Sequence, residues 1–364
     1  MKKYLLALTL IILTACQPNK EPNNMQTFYT GGYTGSEETA SKGIYQFDFN
    51  PETREMGNLS LVVETTNPSW LMQENKNTYA VGETPQGVLN VYEGGELKQT
   101  LASEGASPCH LALSKDKQHL VVANYMGGNI ALFSRDRNTG LLGEQPQVKQ
   151  HTGAGPDKDR QEAAHAHWVG WDKAEKILYV VDLGIDTIMA YPFDQASGQL
   201  GEGFVALKAK PGAGPRHMIF HPTKNAIYVV NELDNTLSLV VQNDDGTLTE
   251  KQTISILPED FNEYSLAAHI VLNAAGSRLY VSNRGHDSIA VVALEEEGTM
   301  DLIQWQSSLG HWPRYFSLLE DSNTLLVANE QSNMLVALEV AADGRLAPTG
   351  QTLDVGTPTF IGTP

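Results

Sequence analysis

Apolar residues in this chain fall in short runs, and many runs alternate apolar with polar positions. In "PRHMIFHPTKNAIYVVNELDNTLSLV", from Pro215, a first run leads into a polar turn at "HPTKN". A second run, "AIYVV", stops at Asn231, and a short loop leads to a third, "TLSLV". Period-two alternation over such lengths marks β-strands, and no 3.6-residue pattern persists to support helices. The module recurs as "PSWLMQENKNTYAVGETPQGVLNVY" from Pro68 and "PCHLALSKDKQHLVVANYMGGNIALF" from Pro108. It recurs again as "AHWVGWDKAEKILYVVDLGIDTIMAY" from Ala166, "AAHIVLNAAGSRLYVSNRGHDSIAVV" from Ala267 and "PRYFSLLEDSNTLLVANEQSNMLVAL" from Pro313. A fourth, looser run follows, as in "QTISIL" from Gln252.

These are six units, and a seventh is split between the chain ends. "PTFIGTP" at the C-terminus matches the first run, "TFYTGGYTG" from Thr27 the second, "KGIYQFDFN" from Lys42 the third and "LSLVVET" from Leu59 the fourth. A repeat completed by both ends closes a ring. Four-stranded units around a channel form a β-propeller, and closure protects the sheet edges. The prediction is therefore an all-β, seven-bladed β-propeller over residues 25–364, with blades of about 48 residues. Abundant turn formers, 32 Gly and 17 Pro, fit a chain with many hairpins.

The segment before the ring has a different character. Residues 1–15 carry Lys2 and Lys3, an apolar run from Tyr4 to Leu13, then small residues, the order of a secretory leader. "LTAC" resembles a bacterial lipobox, which implies cleavage before Cys16 and lipidation of its sulfur. Residues 16–24, "CQPNKEPNN", then read as a polar tether. The expected location is the bacterial cell envelope, lipid-anchored in the outer membrane, with the domain in the periplasm or at the surface. The lipid is the only membrane contact expected. Loss of the leader takes the formal charge from −18 to −20. No basic run follows Lys3, so a nucleic-acid partner is not expected. Cys109 is the only cysteine after Cys16, which leaves no intrachain disulfide and no cysteine-rich zinc site. The domain is expected to act as a monomer.

Blade geometry converts the repeat into a candidate site. The first strand of a blade lines the channel and the second runs back antiparallel. The start of strand one and the end of strand two thus share one rim. The start column reads Ser69, Cys109, His167, Arg216, Ala268, Arg314 and Thr359, one per blade. The next position is always a ring: Trp70, His110, Trp168, His217, His269, Tyr315 and Phe360. The exit column reads Gly32, Glu83, Tyr125, Leu183, Glu232, Arg284 and Glu330. The rings read as packing between blades, with His217 also carried as a substrate contact. Asn124, Asp182, Asn231, Asn283 and Asn329 recur at one turn position and read as structural. Glu83 and Glu330 are read as solvated rim. Arg216, Arg284, Arg314, His167 and Glu232 break the repeat at one mouth, as a site does.

Those residue types suit an anionic ester. Guanidinium binds carboxylate or phosphate bidentately and stabilises a developing oxyanion. His167 is expected to exchange protons near neutral pH, with Glu232 activating water or orienting the imidazole. No serine stands in a strand-to-helix elbow. "HAH", His165 to His167, lacks a further ligand to complete a metal site, so no cofactor is expected.

The motifs "GPRHMIFHP", "VVNELDN", "HWVGWD", "YVVDLG", "SNRGHDSI" and "WPRYFSLL" resemble the seven-bladed lactonase family across all seven units. That family includes bacterial 6-phosphogluconolactonases and fungal carboxymuconate-lactonizing enzymes. The resemblance implies a metal-independent site for a small-molecule lactone at the ring mouth, opening or forming the lactone. It assigns the chemistry to His167, with His165 as the other candidate, and to Arg216, Arg284 and Glu232. Arg314 and His165 become substrate contacts. Hydrolysis of a sugar-acid lactone is the expected reaction. The alternatives are lactonization or a non-catalytic envelope scaffold, because propellers host both enzymes and binders.

Overall fold

The computed structural model describes residues 25–362, apart from residue 36 and residues 38–39. The leader, Cys16 and the tether lie outside the described residues, as do residues 363–364. Seven antiparallel sheets follow one another around the ring. Blade 1 is the split one, with strands Pro358–Gly362, Gln26–Gly32, Gly43–Phe49 and Met56–Glu64 in that spatial order. Blades 2 to 7 span residues 71–102, 108–150, 166–208, 215–255, 266–307 and 313–354. Blade 4 carries an added two-residue strand, Gln199–Leu200. Closure runs through Thr30 paired with Ile361 and Gly31 paired with Phe360.

The core lies between blades rather than within them. Tyr228, Val230, Leu237 and Leu239 of blade 5 pack on Ala267, Leu279, Val281 and Ala290 of blade 6. A middle strand therefore buries both faces, and Ile227–Asn231 is buried at every position. Alternation survives in outer strands such as Leu248–Ser255, where every second side chain near the end is exposed. That is why the second runs read as solid apolar blocks and the fourth as loose ones.

At the end opposite the mouth one contact is repeated from blade to blade. The hydroxyls of Tyr79, Tyr179, Tyr228 and Tyr280 donate to the carbonyls of Gly140, Gly246, Gly298 and Gly344, at 2.7–2.9 Å. Each tyrosine sits on the second strand of its blade, and each glycine turns the outer hairpin of the next. These glycines have φ between +76° and +85°, a left-handed conformation that favours a residue without Cβ.

Candidate active site

The start column owes its aim to an irregularity that the sequence does not announce. Where the first two strands of a blade pair, the ladder passes over Cys109, His167, Arg216, Arg314 and Thr359. In blade 6 the same shift falls at Ala268 and His269. Each is a β-bulge, which bends the strand and re-aims the extra side chain. Six bulges around one axis thus turn the column toward the mouth.

Glu232 is the hub. Its side chain is 2% exposed. Oε2 lies 2.8 Å from Arg216 Nε and 2.9 Å from Arg284 Nη2, and Oε1 lies 2.5 Å from Arg160 Nη2. Burial alone drives such a carboxyl upward, but Arg284, Arg216 and Arg160 outweigh it and hold Glu232 well below the usual carboxylate range. A carboxylate saturated by three guanidiniums is a poor proton acceptor. Glu232 is thus held by three arginines and holds them in turn.

The arginines are fixed from behind. Arg216 Nη1 donates to Ala268 O at 2.7 Å and to His217 Nε2 at 3.0 Å. Arg284 Nη2 donates to Ala267 O at 3.0 Å, and its guanidinium lies 5.4 Å from the centre of the Trp312 ring. Among the described residues, Arg216 Nη2 and Arg284 Nη1 meet no protein acceptor. Burial first, then neighbouring Arg284, lowers Arg216 to about 9, which leaves it charged at neutral pH. Arg314 donates to the Tyr33 hydroxyl at 2.6 Å and faces Glu330 at 3.7 Å. Tyr33 in turn donates to Glu83 at 3.0 Å. Glu83 and Glu330 thus belong to the charged network and are not free rim.

His167 and the pair Arg216–Glu232 meet through electrostatics rather than a hydrogen bond. Burial, then the Arg216 charge, hold His167 well below the usual imidazole range. It stands neutral at neutral pH, and its proton exchange, expected near neutral pH, is shifted to the acid side. Its Nδ1 is 3.9 Å from Cys109 Sγ. Burial pushes the Cys109 thiol far up, so this cysteine is an unreactive neighbour. His165 goes elsewhere. It stacks on Tyr125 at 4.4 Å, its Nδ1 meets Tyr125 O at 3.0 Å, and its Nε2 meets Glu162 at 3.2 Å. His167, not His165, lines the mouth cavities.

The second column does more than pack between blades. Besides neighbour contacts such as Trp70 to His110 at 4.2 Å and His269 to Tyr315 at 4.1 Å, its rings meet across the axis, Trp70 to His217 at 5.8 Å and to His269 at 6.2 Å. The rings floor the mouth with a stopper. His217 accepts from Arg216, so its proton sits on Nδ1, where it donates to His269 Nδ1 at 3.2 Å. His217 thus supports Arg216 from below and also lines the deeper recess. The recurrent amides are structural, as read. Asn124, Asn283 and Asn329 donate to the carbonyls of Ser103, Ile256 and Ser308.

Arg160 and Tyr33 were missing from the columns, and Tyr125 stood in the exit column without being singled out. Arg160 lies on the connection from blade 3 to blade 4, residues 151–165, the longest between successive blades. Asp157 Oδ1 accepts from the Arg160 backbone N–H at 3.1 Å, and buried Gln161 anchors the loop to Leu183 O and Asp186 at 2.8 Å. Loop length was the available signal.

Two connected spaces result. The outer chamber measures about 210 Å³ and is lined by Arg160, Arg284, Arg314, His167, Glu232 and Glu83, together with Cys109 and Tyr125. A recess of about 10 Å³ lies deeper and shares Glu83, Cys109, His167 and Arg314 with it. Four guanidiniums, Arg216 included, face Glu83, Glu232 and Glu330. In a chain of charge −18 this mouth is a local positive spot. A cavity of about 250 Å³ between blades 1 and 2 has Lys76 as its one ionisable group besides Tyr29 and Tyr92, and no such cluster.

A family model described as Lactonase, 7-bladed beta-propeller matches residues 27–363. A 6-phosphogluconolactonase of Bacillus subtilis is 33% identical over 345 residues, which is 92% of this chain and 97% of that protein. A solved Bacteroides fragilis structure, 31% identical, superposes with a TM-score of 0.83 over 93% of this chain and 98% of that one. A periplasmic gluconolactonase structure from Pseudomonas aeruginosa, 27% identical, reaches 0.85 over 93% and 98%.

Proposed function

The chain belongs to the seven-bladed β-propeller lactonase family, and on that premise we propose that it hydrolyses a sugar-acid lactone of the gluconolactone kind. The observation that carries this reading is Glu232 locked by Arg160, Arg216 and Arg284 beside a neutral His167. The lactone sits in the outer chamber with its carbonyl oxygen toward the unpaired guanidinium nitrogens. Attack on the carbonyl carbon places negative charge on that oxygen, where pre-aimed donors stabilise it. His167 takes a proton from the attacking water, and the C–O bond of the ring breaks. The same proton passes to the ring oxygen as it leaves. The product is the open hydroxy acid. Its carboxylate adds one negative charge to a mouth with one guanidinium in excess of its carboxylates. A phosphate adds up to two more, so the uncharged lactone is the better match.

The leader-like segment and Cys16 support a lipid-anchored protein of the cell envelope, where an unphosphorylated lactone is also the more available substrate. The test is acid release in lightly buffered solution by the domain from Met25, with glucono-δ-lactone and its 6-phospho analogue, with and without chelator. Opening faster than the spontaneous rate, insensitive to chelator and favouring the uncharged lactone, is expected. No acceleration with either lactone leaves the scaffold reading in place. A preference for the phosphorylated analogue overturns the substrate assignment.

A further inference from the structure

The recess beneath the chamber is built for something smaller than a lactone. Its volume, about 10 Å³, is close to what a single water requires. Ser69, Glu83, Cys109, His167, Arg216 and Thr359 line it. Trp70, His217 and Tyr315 floor it, so access is from the chamber. Ser69 is 5% exposed, and among the described residues its Oγ meets no hydrogen-bond partner. Its backbone is pinned on both sides: the N–H donates to Asn67 O at 2.8 Å, and the carbonyl accepts from Thr359 Oγ1 at 3.2 Å. A buried hydroxyl left without a partner destabilises the fold and needs an explanation.

We propose that this recess seats the hydrolytic water, with Ser69 as its positioning residue and His167 as the base. The inference rests on the lactonase reading. Ser69 Oγ holds the water by one hydrogen bond, while the His167 imidazole accepts its proton. The oxygen then adds to the carbonyl carbon of a lactone in the chamber above. The C–O bond of the ring breaks, and the proton returns from His167 to the ring oxygen. Ser69 is not itself the nucleophile, because no hydrogen bond joins its Oγ to an imidazole or carboxylate.

Ser69→Ala and Ser69→Val test this in the full domain. Ser69→Ala removes a hydroxyl that holds no protein atom, so the unfolding temperature stays level or rises. Its kcat falls about tenfold, the worth of one hydrogen bond, with KM within about twofold. Ser69→Val fills the recess, and kcat falls further. In water–methanol mixtures the enlarged recess of Ser69→Ala raises the ratio of methyl ester to free acid above that of the wild type. A purely structural serine does not move that ratio. Unchanged kcat and an unchanged ratio in Ser69→Ala overturn the proposal. So does a trapped acyl-enzyme on Ser69 of the wild type. A wild-type chain that opens no lactone removes the underlying reading instead, before any variant is compared.

Discussion

The two ends of the ring are built by opposite rules. At the far end, one contact is copied from blade to blade, a tyrosine hydroxyl on the carbonyl of a turn glycine in the next blade. At the mouth, equivalent positions carry Cys109, His167, Arg216, Ala268, Arg314 and Thr359, no two blades alike except in their arginines. The same strands reach both ends, but the recurring bulge between the first two belongs to the mouth. Repetition joins neighbouring blades at the far end by four near-equal contacts among the described residues. Departure from repetition concentrates charge at the mouth, where a buried ion cluster adds little net stability but fixes positions.

That contrast is broken most severely at Glu232. Glu232→Gln leaves three guanidiniums without their shared carboxylate. Breaking a buried ion pair from one side costs about 3–5 kcal/mol. The expected result is loss of turnover together with a lowered urea midpoint. A variant that keeps wild-type stability shows the hub to be dispensable to the fold. Arg216→Lys should separate the two properties. The charge remains but the planar fork is lost, and a missing transition-state donor lowers kcat about a hundredfold to a thousandfold. Stability should change far less than in Glu232→Gln, and a matching fall in both means the arginine is structural.

Acid should act on the mouth floor before it acts on the far end. Burial first holds His110 at about 3, and holds His167, His217 and His269 well below the usual imidazole range. Unfolding releases them to an ordinary value of about 6.5, so below that pH the unfolded chain binds more protons. Their contribution to stability is complete above pH ~6.5 and is lost as pH falls toward the depressed folded values. Urea midpoints at pH 7 and pH 5 should therefore differ, and His269→Phe should narrow the gap. Equal midpoints contradict neutral burial. The smallest effect is expected at Tyr228→Phe, which removes one hydrogen bond to Gly298 worth about 1 kcal/mol. Lactone opening should be unaltered, and a fall in kcat there would show that the ends communicate.

Sequence reading reached the ring because each blade repeats the same burial problem. The split seventh unit was legible because Pro358–Gly362 and Gln26–Gly32 each carry half of a known pattern. Column positions led to Arg216, Arg284, Arg314, His167 and Glu232, and all five line the two spaces at the mouth. Arg160 escaped because it lies on a loop with no counterpart in other blades. Tyr33 escaped by one position, since the column stops at Gly32. Glu232 as the point where three guanidiniums meet depends on three distances that spacing does not encode. Nor does spacing reveal that Ser69 Oγ lacks a partner.

The split blade also sets an order of events. Gly32 and Pro358 are paired, yet nearly the whole chain separates them. During synthesis from the N-terminus, blades 2 to 7 emerge as local hairpins while the ring stays an open arc. The clasp becomes available only with the last few residues. Such distant pairing is slow to find, and the arc has an unmatched flank until it does. For a chain with an export leader of the kind proposed, that delay is useful. A secretion channel that threads extended polypeptide has the full duration of translation in which to take it. Moving the junction of the termini to a loop between blades, by circular permutation, would make that pairing local and leave the ring to close by the docking of its first and last blades.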